Sequence, residues 1–121
     1  AAHWSLSKPA VDRLRESKFP GGMAHACEFE TAMYMHIRPE GVLHDKIGGR
    51  EAPSSLNEFI FDDLFGSGPM HFVNRWSRVS ETGVEGDPNL ATPEKGKEFA
   101  ECSIDALMVP RPRLPTQLPR E

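Results

Sequence analysis

Proline and glycine cut this chain so often that little of it can be strand. Eleven prolines and ten glycines fall among 121 residues. They leave one stretch with strand character, Met70 to Val79, where Phe72, Val73, Trp76 and Val79 alternate imperfectly with polar neighbours. One strand cannot form a sheet by itself. The chain therefore expects strands from another stretch of polypeptide. Its opening residues, Ala1-Ala2-His3-Trp4-Ser5, lack an initiator Met, which fits a start after processing or inside a larger protein.

Three helices are predicted. Residues 7–18 begin with Ser7 as a cap and Pro9 in the first turn, where a missing N–H costs nothing. Ala10, Val11, Leu14 and the stem of Arg15 form its apolar stripe, and Phe19-Pro20-Gly21-Gly22 stops it. Ala26, Phe29, Met33 and Ile37 recur at three- and four-residue steps and predict a helix over 26–37, ended by Arg38-Pro39-Glu40-Gly41. The third has the clearest start: Thr92 caps, Pro93 takes the first turn and Glu94 suits the positive end of the dipole. It runs to Met108 and buries Phe99, Cys102, Ala106 and Leu107. Residues 42–58 read as loop, 57–65 as a short aromatic helix and Gly66-Ser67-Gly68-Pro69 as a turn. Residues 1–108 then form one unit. The tail from Val109 to Glu121 holds Pro110, Pro112, Pro115 and Pro119 and is expected to be extended.

Charge narrows the function. Fourteen basic against 18 acidic side chains give a formal charge of −4, which lacks the basic excess of a nucleic-acid binder. No apolar run approaches the roughly 18–20 residues of a membrane helix, and the N-terminus carries no signal-peptide pattern. Cys27 and Cys102 stand 75 positions apart and form no CxxC pair; they read as free thiols of a reducing compartment, so the expected location is cytoplasmic.

Reactive side chains are densest at His25, Cys27, Glu28, Glu30 and Thr31, just after Gly21-Gly22. Glycines there allow a backbone to approach a ligand closely. On a helical projection Glu30 lies about half a right angle from the centre of the apolar stripe, whereas Glu28 lies nearly opposite and is expected to face water. A carboxylate at the rim of a buried face is costly unless paired, metal-bound or protonated, which singles out Glu30. The bland alternatives are a capping or surface histidine and a glutamate that reaches out to water. His36 and His44 have no partner at ligand spacing and read as surface residues, and His71 reads as a packed or exposed strand residue rather than a ligand. Glu58, Asp62 and Asp63 read as a solvated acidic face, and Arg75 and Arg78 as ordinary arginines of an edge strand. No complete zinc ligand set, phosphate loop or nucleophile elbow is present in the sequence.

Two stretches together resemble one family. Gly22-Met23-Ala24-His25-Ala26-Cys27-Glu28-Phe29-Glu30-Thr31, continuing to Arg38-Pro39, is similar to the HAGxxET…LRP segment of the creatininase (creatinine amidohydrolase) family. Gly83-Val84-Glu85-Gly86-Asp87-Pro88-Asn89-Leu90-Ala91-Thr92, followed by Glu94-Lys95-Gly96, is similar to its GVxGDPxxAT-x-EKG segment. The resemblance covers roughly residues 20–108 and implies an α/β class. This chain would be the C-terminal half of a three-layer α/β/α fold with a mainly parallel sheet. It also implies a homo-oligomer, usually a hexamer, that hydrolyses cyclic amides or related C–N bonds of small molecules at a site with two divalent metal ions, zinc, manganese or iron.

Family chains are about twice this length. Most metal ligands lie in the half that precedes this segment, so the resemblance implies an N-terminal partner, as a separate chain or fragment, that holds the metals. His25 matches the histidine that contacts substrate and handles protons near the leaving group. Glu30 matches a glutamate of the same site, which would orient His25, bind metal or carry a proton. Gly21 and Gly22 stand where creatinine-specific members carry an aromatic residue and an acid, which makes Gly22 a substrate-side position and turns the expectation away from creatinine. The wording GGMAHACEFET is closer to members acting on a cyclic polyol ketone, the 3-dehydro-scyllo-inosose hydrolase-like branch. The competing expectation is a non-catalytic interaction subunit that keeps the fold and lacks the chemistry.

Overall fold

The computed structural model describes residues 4–48, 57–71 and 75–108. The proline-rich tail lies outside the described residues, as do Phe72 and Val73 of the predicted strand. A 3-10 turn, Trp4–Ser7, leads into α1 (Lys8–Leu14). Then follow β1 (Met23–His25), α2 (Glu28–Ile37), β2 (Asp62–Asp63), β3 (Gly66–Ser67), α3 (Trp76–Val79), β4 (Glu85–Gly86) and α4 (Pro93–Met108). Short 3-10 turns at Pro39–Gly41, His44–Lys46 and Pro88–Leu90 link them.

Two helices make the centre. α2 crosses α4 so closely that a Cβ on Gly96 would stand 1.9 Å from the carbonyl oxygen of Ala32. The glycine is what lets the backbones touch. Around that crossing Val11, Met23, Cys27, Phe29, Met35 and Phe99 are buried, and the Phe29 ring packs on Phe99 at 5.0 Å and on Phe65 at 5.8 Å. α4 starts as predicted: the Lys95 N–H donates to Thr92 Oγ1 at 3.2 Å. It buries Phe99, while Cys102 and Ala106 are half-buried and Leu107 is exposed, so its second half leaves the core. Neither cysteine is bridged.

Several expectations change. α1 ends at Leu14 rather than 18, because the N–H groups of Glu16 and Ser17 donate to the Glu28 carboxylate and not to helical carbonyls. Ser7 does not cap it; its hydroxyl donates to the Phe99 carbonyl at 2.8 Å and is spent on α4. α2 begins two residues late, since Ala26 has φ +49° and cannot be helical. Its buried residues are Glu28, Phe29, Ala32 and Met35, and Ile37 is exposed; the face is rotated from the predicted stripe.

Residues 57–65 are no helix. Asn57 Oδ1 accepts from Phe59 and Ile60 N–H, an Asx-type turn, and β2 folds back on β3. The predicted strand at 70–79 ends instead in the single turn α3. Trp76 and Val79 stand three residues apart, a spacing that suits one helical turn as well as a strand.

Both ladders are antiparallel: β1 with β4 and β2 with β3. A Leu64 N–H donates to the Met23 carbonyl at 2.6 Å and ties the second ladder to the first. The class is α/β, and the ladders seen here do not display the parallel sheet implied by the resemblance.

Candidate functional site

His25 is the last residue of β1 and is solvent-exposed. The strand bears a bulge between Met23 and His25, so that Met23 pairs with Gly86 and His25 with Glu85. A bulge bends a strand and re-aims the side chain beside it. Ala26 then takes the left-handed conformation, which turns the backbone sharply into α2. Gly86, with φ +136°, makes the close approach possible: a Cβ there would stand 2.6 Å from the Gly22 carbonyl oxygen. The His25 ring packs on Trp76 of α3, centroids 4.9 Å apart and planes tilted by 47°.

The head of α2 is capped by the site's own residues. Cys27 Sγ accepts from the Glu30 N–H, and the Glu30 carboxylate accepts from the Cys27 N–H at 3.4 Å. Thr31 Oγ1 donates to the Ala26 carbonyl at 3.3 Å. His25, Ala26, Glu30, Thr31, Tyr34 and Val42 line an open, largely apolar groove of about 360 Å³. The fold thus brings the predicted pair His25 and Glu30 to one groove and gives Glu30 a further task as a cap. Gly22 is buried and does not line that groove; a Cβ there would stand 2.5 Å from the Lys18 carbonyl oxygen, so close backbone packing calls for glycine. Cys27 is fully buried, and that burial pushes its thiol up to about 11, which leaves it without thiolate at neutral pH.

Glu28, expected in water, is fully buried. Its carboxylate accepts from the Ser17 N–H at 2.9 Å, the Glu16 N–H at 3.2 Å and Lys95 Nζ at 2.6 Å. Lys95 also donates to the Leu90 carbonyl at 2.8 Å and meets Glu16 at 2.5 Å. Burial alone would raise the Glu28 carboxyl; Lys95 and the two N–H donors outweigh it and hold the group below its ordinary value of 4.5. Lys95 is held above 10.5: burial opposes its charge, and Glu16 and Glu28 overcome that. The two matched sequence segments meet in this pair. Both residues stood in the quoted stretches, yet nothing in their spacing announced a contact.

Asp63 corrects the solvated-face reading in the same way. Its side chain is fully enclosed, accepting from both terminal nitrogens of Arg15 at 2.9 and 2.6 Å and from the Gly21 N–H at 2.9 Å. Asp62 and Glu58 are exposed, as expected. His36 and His44 lie on the surface, and His71, also exposed, has Nδ1 3.4 Å from Asp62 Oδ1. Arg75 caps α3 and Arg78 belongs to it, both exposed. Sequence reasoning also passed over Glu85, half-buried opposite His25. Burial and the charge of Asp62 push its carboxyl up, and His25 pulls it the other way. Among the described residues no three His, Cys, Asp or Glu side chains converge to hold a metal ion, and no helix is long and apolar enough to cross a membrane.

A family model described as creatininase, creatinine amidohydrolase, matches residues 1–109. Curated relatives are named mycofactocin precursor peptide peptidase. The protein of that name from Mycobacterium ulcerans is 38% identical over 89 residues, 72% of this chain and 32% of the relative. The one from Mycolicibacterium smegmatis is 37% identical over 84 residues, 68% and 30%. The one from Mycobacterium tuberculosis is 31% identical over 87 residues, 71% and 31%. The chain thus spans about a third of the length of the curated relatives it matches. No solved structure matches it.

Proposed function

This chain belongs to the creatininase (creatinine amidohydrolase) family, and from that premise we propose that it forms the histidine-bearing wall of a hydrolase that cleaves an amide C–N bond in a peptide or cyclic-amide substrate. The observation that carries this reading is His25, exposed at the head of α2, on one groove with Glu30. Water adds to an amide carbon, and the departing nitrogen must gain a proton. An imidazole with a titration range near neutrality suits both transfers. His25 contacts substrate and hands that proton on. Glu30 holds the Cys27 backbone and so keeps the strand-to-helix joint in place. The apolar wall from Tyr34 and Val42 takes the rest of the substrate.

Divalent ions of the complete enzyme, zinc, manganese or iron, would be held mostly by residues outside this chain, with Glu30 the candidate ligand here. We assign those residues to further polypeptide, in the same chain or a companion, that completes the sheet and covers exposed Ile37 and Leu43. The assembly is a homo-oligomer, six-fold in the family's manner.

His25→Ala in the complete protein tests the reading. Loss of general acid–base help lowers kcat by about 10²–10⁴-fold, while thermal unfolding shifts by less than about 0.5 kcal/mol, as for an exposed residue. Turnover of a linear peptide, a cyclic amide and a cyclic polyol ketone is measured side by side. Unchanged kcat on every substrate turned over leaves the non-catalytic subunit standing instead.

A further inference from the structure

We propose that Glu85 is the positioning residue of His25, acting across the β1–β4 ladder on the imidazole that the preceding reading puts at the reaction. Two observations converge. The bulge in β1 shifts the register so that His25, and not Ala24, stands opposite Glu85. Residues directly opposite in an antiparallel pair share a face, with Cβ atoms about 4.5–5.5 Å apart, within reach of a glutamate and an imidazole. Trp76 contacts the His25 ring from α3. A ring and a carboxylate, from two different elements, then decide where an otherwise exposed imidazole rests.

The charges agree with that placement. Among the described residues, the groups felt at Glu85 are Asp62 of β2, a like charge, and His25 of β1; His71 is engaged with Asp62, Trp76 brings no charge, and Glu30 of α2 lines the His25 groove. Half-buried beside another acid, Glu85 gains from a positive imidazole. The consequence is a histidine whose orientation is set from two sides, by Glu85 across the ladder and by the Trp76 ring. This inference rests on the proposed function for its catalytic meaning, but the pairing itself is testable apart from activity.

An imidazolium in ring contact quenches indole fluorescence. In the complete protein, the component of the emission that disappears in Trp76→Phe should fall as pH falls and His25 protonates, and it should not titrate in His25→Ala. Glu85→Gln keeps the shape and removes the charge. It should move the midpoint of the quench to lower pH. Glu85→Asp should restore part of the shift. In the same variants the pH profile of kcat/KM should move in step, with kcat lowered about tenfold in Glu85→Gln and KM little changed. A quench midpoint unmoved in Glu85→Gln overturns the proposal, even if His25→Ala abolishes turnover. A moved midpoint with turnover indifferent to both Glu85→Gln and His25→Ala upholds the pairing and overturns the hydrolytic reading.

Discussion

Glu28 and His25 lie three positions apart, yet the fold treats them oppositely. Glu28 is sealed among backbone N–H groups and Lys95, every contact directed inward. His25 is exposed and touches a ring. The difference is made by the joint between them: Ala26 in the left-handed region and Cys27 as the cap turn one side chain out and the other in. A buried, fully partnered ion pair at the head of a helix anchors that head against the α1 loop and α4. The exposed residue can then be held accurately without burying it. Anchoring falls to Glu28, and exposure to the groove falls to His25 three positions before it.

The comparison breaks most sharply at the anchor. Glu28→Ala leaves the Glu16 and Ser17 N–H groups without their acceptor and Lys95 with only Glu16 and the Leu90 carbonyl, and should cost about 3 kcal/mol of stability in chemical denaturation, against the near-neutral stability effect of His25→Ala. Similar costs for both would mean that the anchor is not one.

Acidity and alkalinity sharpen the same contrast. The Glu28 carboxyl is depressed in the fold, so its stabilisation is present above its unfolded value near 4.5 and is lost as pH falls through the lower folded value. Lys95 is raised, so its share is present below 10.5 and is lost as pH rises through the higher folded value. The pair's contribution should therefore be flat between these limits and decline outside both. In Glu28→Gln the acid-side decline attributable to this group should vanish from the unfolding curves measured across pH.

The joint gives the smallest effect. Ala26 carries φ +49°, a conformation that costs a residue with a Cβ about 1–2 kcal/mol relative to glycine. Part of that gain is offset by the looser unfolded chain. Ala26→Gly should raise stability by about 0.5–1 kcal/mol, read as a shift of the unfolding midpoint, whereas Ala26→Val should lower it.

Legibility in the sequence followed the range of the interaction. α4 was readable because Thr92, Pro93 and Glu94 act within one turn. The ends of α1 and α2 were not, because a carboxylate from another element takes the N–H groups of Glu16 and Ser17, and a strained Ala26 delays the second start. The end of the predicted strand misled because the three-residue gap from Trp76 to Val79 suits a helical turn as well as a worn strand. At the site, the motif containing His25 and Glu30 was visible as a cluster. Glu85 was quoted within a motif without a role, and Trp76 was assigned to a strand.

Local chemistry alone therefore determined the helix over 93–108, the loop at Gly21-Gly22 and the clustering of a histidine and a glutamate around the start of one helix. Which glutamate is buried was decided only when α2 met α4. An amphipathic projection ranks side chains by apolar neighbours within the helix, whereas burial of a charge is decided by whether a distant partner such as Lys95 arrives to meet it, and that partner is 67 residues away along the chain.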